Sequence, residues 1–200
     1  MNRTPPRGRR AARLLMAAGL LALVYAAYVM VDAAVFQAVE HRRLEQARRA
    51  EAPDSAAVTA ATAVAGEPIG EIQIERIALS AVVVEGDSAP ILRRAVGHLA
   101  GTALPGEAGN VVLAGHRDTF FRPLRRVQVG DAITLTTPGG VFEYVVESTA
   151  VVRATDVTVI RPTEQRTLTL VTCYPFGWLG PAPDRFIVRA KEAAATGPAR

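Results

Sequence analysis

The chain has 200 residues, enough for one domain with a sizeable core and an appendage. Its formal net charge of +4 is unevenly placed: residues 1–50 hold nine arginines against three acids, and residues 51–200 hold 14 basic and 16 acidic side chains. The basic balance therefore belongs to the N-terminal end, which excludes the footprint of a nucleic-acid binder from the rest, and a single cysteine excludes an internal disulfide and a thiolate metal cluster.

The N-terminal end reads as a membrane anchor. Arg3, Arg7, Arg9, Arg10 and Arg13 form a basic tail over residues 1–13, and Leu14 to Val31 follow as eighteen uncharged residues. At about 1.5 Å per residue a helix of that length spans about 27 Å, close to a bilayer's hydrocarbon core. The arginines predict a cytoplasmic N-terminus and an extracytoplasmic remainder, a single-pass protein of the cell membrane. A cleaved signal peptide has a shorter apolar region, of about 7–15 residues. Residues 32–66 form a juxtamembrane segment. Within it, Ala33 to Ala50 mix charge with strong helix formers and predict a solvated continuation of the helix, with His41 exposed. Ser55 to Gly66 is a low-complexity Ala/Thr spacer.

From Gly66 the pattern becomes that of short strands. Ile69 to Ile77 alternates at period two, and Ala81 to Glu85 is a short apolar strand. Ala89 to Val96 predicts a turn or two of helix. Pro105-Gly106 marks a turn before a strand at Asn110 to Ala114. Ala132 to Thr137 and Val141 to Arg153 flank the Gly139-Gly140 turn as a hairpin, and Asp156 to Arg166 is a loop. Thr167 to Cys173 and Arg185 to Lys191 are the last strands. Seven or eight short strands with turns between them predict an all-β domain over residues 67–192, a closed or nearly closed β-barrel, before a tail at 193–200.

The chemistry centres on Cys173, which ends the strand-like run Thr167-Leu-Thr-Leu-Val-Thr-Cys173. A free cysteine is either a small buried apolar residue or a nucleophile. Two other strand ends bear on the choice. His116 closes the run Gly109-Asn-Val-Val-Leu-Ala-Gly-His116, and Arg185 opens Arg185-Phe-Ile-Val-Arg189. Arg185 reads equally as half of a salt bridge with Asp184.

Together these pieces resemble the sortase family of cysteine transpeptidases. The nucleophile motif Thr-Leu-x-Thr-Cys stands here as Thr169 to Cys173; the histidine follows a glycine at a strand end; the arginine opens the strand after the cysteine. The likeness runs from about Gly70 to Lys191, and Gly115 to Leu124 with Cys173-Tyr-Pro-Phe176 looks most like class D. The resemblance implies an eight-stranded sortase barrel with short helices. It implies Cys173 as nucleophile, His116 as the acid that protonates the leaving amine, and Arg185 as a donor to substrate carbonyls or the oxyanion. The substrates it implies are surface or pilin-like proteins carrying a Leu-Pro-x-Thr-Gly or Leu-Pro-x-Thr-Ala sorting signal. An amine of the cell wall or of another subunit would accept the acyl group.

Three residues have supporting readings. His98, in Val96-Gly97-His98, matches a Gly-His segment of several sortases but reads by itself as structural. Asp118 stands two residues after His116 and is placed to orient it. Thr172 precedes the nucleophile, with its side chain on the opposite face of the strand. No cofactor motif or calcium-loop pattern is present in the sequence. A hydrolytic cysteine peptidase and a non-catalytic peptide-binding barrel are the rival readings.

Overall fold

The computed structural model describes residues 7–50, 64–178 and 180–193. Residues 1–6 of the basic tail, most of the Ala/Thr spacer (55–63) and the C-terminal tail from 194 lie outside these residues. Helix α1 runs unbroken over Arg7–Ala50. Its Leu14 to Val31 portion bears Leu15, Leu21, Met16 and Met30 more than two-thirds exposed, with no protein partner. The stretch Ala11–Gln46 contains a window long and apolar enough to cross a membrane. A helix that is apolar all round and unburied suits lipid, not water.

Eight strands follow, with one α-helical turn and three 3-10 turns (Glu75–Ile77, Arg122–Arg126 and Thr158–Ile160) between them: β1 (Pro68–Ile74), β2 (Leu79–Glu85), α2 (Ala89–Leu92), β3 (Val96–His98), β4 (Asn110–Ala114), β5 (Ala132–Thr137), β6 (Gly140–Arg153), β7 (Thr167–Tyr174) and β8 (Asp184–Glu192). They close into a barrel in the order β1-β2-β3-β4-β7-β8-β6-β5. Period-two alternation sends Ile72, Ile74, Leu79, Val83, Leu113, Leu135, Leu168, Leu170 and Val188 into one core with Phe121 and Leu124. Burying such side chains contributes roughly 1.5–3 kcal/mol each and supplies most of the driving force for closure.

Two of the pairings, β2 with β3 and β4 with β7, are parallel. The second matters for the site. It aligns Asn110 with Thr167 and Ala114 with Val171, so both strands end at the same rim. The helix predicted over Ala89 to Val96 stops at Leu92, and Val96 already belongs to β3. The physical reason is Gly97, where a Cβ would stand 2.3 Å from the Gly86 carbonyl oxygen; only glycine lets β3 come so close to the end of β2.

The solvated-helix expectation for residues 33–50 also needs correcting. One side of α1 packs on the barrel wall. Phe36 and Leu44 meet Val82, Val84, Ala95 and Ile91, and Asp32 pairs with Arg94 at 2.6 Å. His41 is exposed, as expected, and in addition shares a 2.8 Å hydrogen bond with Glu71. The mixed charge of this stretch is a wet face on one side only.

Candidate active site

The rim is built from the ends of β4, β7 and the start of β8. Beyond Ala114 the parallel ladder continues through the Gly115 N–H, which donates to the Val171 carbonyl at 3.2 Å. Gly115 is required for packing: a Cβ there would lie 2.8 Å from the ring of Phe121, which is fully buried beneath the turn. The turn is closed by the Thr119 and Phe121 N–H groups, both donating to the His116 carbonyl. His116 thus emerges half-buried from a fixed turn, one step beyond the ladder that carries Cys173 on the neighbouring strand.

Cys173 is free and half-buried. Leu168 and Leu170 face the core and Thr172 is buried on the same side, so alternation puts Cys173 on the outer side of the sheet. Antiparallel pairing of β7 with β8 sets Arg185 directly opposite it. The guanidinium Nη1 of Arg185 donates to the Asp184 carbonyl at 2.9 Å and the Ala182 carbonyl at 3.3 Å. The alternative partner proposed by the sequence, the Asp184 carboxylate, lies 3.5 Å from Arg153 instead. Thr172 Oγ1 donates to the Gly115 carbonyl at 2.7 Å, which ties the residue before the thiol to the residue before the imidazole.

Asp118 and His98 stand apart from this group. Asp118 is exposed and makes no hydrogen bond to His116 among the described residues. His98 is buried on β3, with Nδ1 2.6 Å from a Glu85 carboxylate oxygen and Nε2 3.0 Å from both the Ala103 carbonyl and Thr102 Oγ1. It stands opposite Leu113 on β4 and fastens the connection that leads from β3 toward Asn110.

Two further residues had no role assigned from sequence. Arg117 follows His116 and reaches the β7–β8 connection, where Nη2 donates to the carbonyls of Trp178 (2.7 Å) and Gly180 (2.9 Å). That connection starts with a cis Tyr174–Pro175 peptide and is walled by Tyr174, Phe176 and Phe186, whose rings lie 5.3 to 6.3 Å apart. Asn110, also buried, donates from Nδ2 to the carbonyls of Val159 and Arg161, both at 3.1 Å. Arg189 donates to Val159 as well, at 3.1 Å. The β6–β7 loop is therefore stapled to the outer side of β4, β7 and β8, the side that carries the thiol. At its start, hydrogen bonds from the Thr158 hydroxyl and N–H hold the Asp156 carboxyl below its ordinary range. Adjacency to histidine gave the only signal for Arg117; Asn110 gave none, since its partners, two backbone carbonyls and the Thr169 and Thr167 hydroxyls, lie some 50 to 60 residues away.

The closed barrel thus carries an outward thiol at its rim, an arginine opposite it on the antiparallel neighbour and a histidine just beyond the end of the parallel one. Comparison with known proteins is specific. Residues 72–193 match the Sortase domain model, and the chain belongs to the sortase family. It is 38% identical over 128 residues to sortase D of Bacillus subtilis, covering 64% of this chain and 65% of that one. It is 32% identical over 109 residues to sortase A of Listeria monocytogenes, covering 52% and 49%. The matched part thus spans less than two thirds of each of these curated relatives. Among solved structures, a Clostridium perfringens sortase D5 transpeptidase superposes with a TM-score of 0.61 at 35% identity, over 67% of this chain and 84% of that one. Sortase C of the same organism, solved with a C-terminal cell wall sorting motif, gives 0.61 at 28% identity, over 66% and 74%.

Proposed function

We propose that this chain is a membrane-anchored cysteine transpeptidase that acts on sorting signals of the Leu-Pro-x-Thr-Gly or Leu-Pro-x-Thr-Ala type. The observation that carries the reading is the strand register. Parallel β4–β7 pairing and antiparallel β7–β8 pairing bring His116, Cys173 and Arg185 to one rim from positions 57 and 12 residues apart in sequence.

In this reading the Cys173 thiolate adds to the carbonyl carbon of the scissile peptide. Arg185 donates to the oxygen that gains charge. The carbon–nitrogen bond breaks, His116 gives its proton to the leaving amine, and a thioester to Cys173 remains. An incoming amine loses a proton to His116, attacks the thioester and expels the thiolate. Residues 67–192 form the catalytic domain, 14–31 the anchor, and 1–13 the cytoplasmic tail. The clients are surface or pilin-like proteins, and the acceptor is an amine of the cell wall or of another subunit.

The test is mass spectrometry of the protein mixed with a panel of sorting-signal peptides, with and without an added amine. The expected result is an acyl adduct on Cys173 that an amine converts to a peptide product. An adduct released equally to water whatever the amine would replace transfer by hydrolysis, and absence of any adduct across the panel would remove the catalytic reading.

A further inference from the structure

Helix α1 does not lie along the barrel strands; it crosses them. Glu71 of β1 pairs with Val82 of β2 on one side and with Thr136 of β5 on the other, so these three residues form one row across the sheet. The helix meets that row in order. Gln37 takes the Val82 N–H, His41 takes Glu71, and Leu44 and Glu45 stand with Thr136 and Thr137 around one small cleft. Four helical residues advance about 6 Å and neighbouring strands lie about 4.8 Å apart, so each turn or so of helix passes one strand.

Gln37 holds the crossing at a point where the sheet is open. β3 pairs with β2 only from Val83 onward, which leaves the Val82 N–H without a strand partner. The Gln37 side-chain oxygen accepts it at 2.8 Å, and the amide nitrogen of the same side chain donates to the Arg94 carbonyl at 2.7 Å. One side chain therefore completes the ladder between β2 and the segment entering β3. A buried N–H of this kind costs roughly 1–3 kcal/mol when unpaired, which makes the docked helix part of the barrel wall.

The same helix continues without a break into the apolar stretch that ends at Val31, one residue before the Asp32–Arg94 ion pair. We propose that α1 is a docked stalk that holds the barrel side-on to the bilayer, presenting its β3–β4 wall to the membrane surface and to substrates held in the same leaflet. This rests on the reading of residues 14–31 as a membrane span. Moving outward along α1, contact passes from the corner before β3 to β2, β1 and β5. The β3 side is thus nearest the membrane and the β5–β6 hairpin is farthest. Since β4 follows β3 around the closed wall, the strand that leads into the His116 turn lies on the membrane side. A sorting signal tethered by its own membrane segment meets the rim at short range, without having to reach over the barrel.

The test uses the full chain carrying Cys173→Ala, reconstituted in phosphatidylcholine–phosphatidylglycerol vesicles. Single cysteines at exposed Arg93 (before β3) and exposed Gly139 (the hairpin) receive a fluorophore, and a quencher is attached to lipid headgroups. Strong quenching at position 93 and weak quenching at 139 is the expected result. Spin labels at Val35 and Val141 should give a narrow distance distribution that broadens when Gln37→Ala and Leu44→Ala are introduced together. In the enzyme with Cys173 intact, the same pair should leave turnover of soluble peptides unchanged and slow a membrane-tethered substrate by about tenfold or more, as lost effective concentration predicts. Equal quenching at both positions, or a broad distribution before mutation, overturns the stalk. Alkaline carbonate extraction reports on the span itself: release of the chain from the vesicles overturns that reading, while retention with equal quenching overturns only the stalk.

Discussion

Cys173 and Arg185 are directly paired residues of β7 and β8, with Cβ atoms that such pairing sets about 5 Å apart. The arginine's position relative to the thiol is therefore fixed by backbone hydrogen bonds on both strands. Replacement by lysine keeps the charge but loses the planar fork that can serve two acceptors at once. Steady-state kinetics of Arg185→Lys should show a fall of about 10²–10³ in kcat, the scale of a lost oxyanion donor. Near-normal kcat would mean that Arg185 acts by charge alone or is not in the site.

Thr172 and Gly115 offer a test of how the rim is held. Thr172→Val removes the hydroxyl donor and leaves the Gly115 carbonyl unpaired in a buried position, a cost of roughly 1–3 kcal/mol. Thr172→Ser keeps the donor. Denaturant unfolding should rank the two well apart, and activity should follow the same order because the same hydrogen bond sets the approach of β7 to the histidine turn. If valine and serine behave alike, the bond does not position the site.

Arg117 is expected to act through the aromatic connection, not on the reacting atoms. Arg117→Ala frees the Trp178 and Gly180 carbonyls, so the loop beside Cys173 loses its tie to the histidine turn. The signature is a rise in KM for the sorting peptide larger than the fall in kcat. A pure loss of kcat would instead put Arg117 in contact with the transition state.

His98 gives a contrasting expectation. His98→Ala leaves Glu85 buried without its hydrogen-bond partner, and a buried polar group left unpaired costs roughly 1–3 kcal/mol. The variant should lose thermal stability, while the fraction that remains folded keeps its rate per active site, as titrated with a thiol-reactive peptide.

The helix–barrel contact should weaken in acid. Burial alone would raise the pKa of Glu71, but hydrogen bonds from Ser80, Gln73 and His41 outweigh it and hold the carboxyl below its ordinary 4.5. A depressed carboxyl contributes stability above its unfolded value and loses it as pH falls through the folded one, so docking weakens below that ordinary value. The protection factors for hydrogen exchange over residues 32–46, taken against the intrinsic amide rate at each pH, should fall on going from about pH 6 to about pH 3, and Glu71→Gln should flatten the change. Equal protection factors at both pH values in the unmodified chain would show that the carboxylate does not hold the helix.

The strands with clear alternation were readable because one face of each is buried. Thr167 to Cys173 and Arg185 to Lys191 match β7 and β8 to within a residue at either end. β3 was hidden, since three residues held by a parallel neighbour leave no periodic trace and Gly97 looks like a breaker until the approach of Gly86 is known. The pairing of Arg185 with Asp184 failed for a simple reason: successive strand residues point to opposite faces. The docking of α1 was unreadable because Gln37 and His41 sit among charges typical of a wet helix, and their partners, Val82 and Glu71, are fixed only by sheet register. At the rim, the order of His116, Cys173 and Arg185 was visible in sequence, but the bonds from Thr172 and Arg117 that hold their backbones were not.

The parallel pairing of β4 with β7 also sets a timetable. Synthesis runs from the N-terminus, so the strand that leads into the His116 turn is made 57 residues before the one it needs as its neighbour, and β8 comes later still. Until those last two strands arrive, β4 lacks one neighbour and the thiol has no arginine across from it. Non-local pairing of this kind forms late and slowly. The Cys173 sulfur is thus among the last groups to gain its surroundings, and a chain interrupted before residue 184 carries the cysteine without the strand that pairs with it.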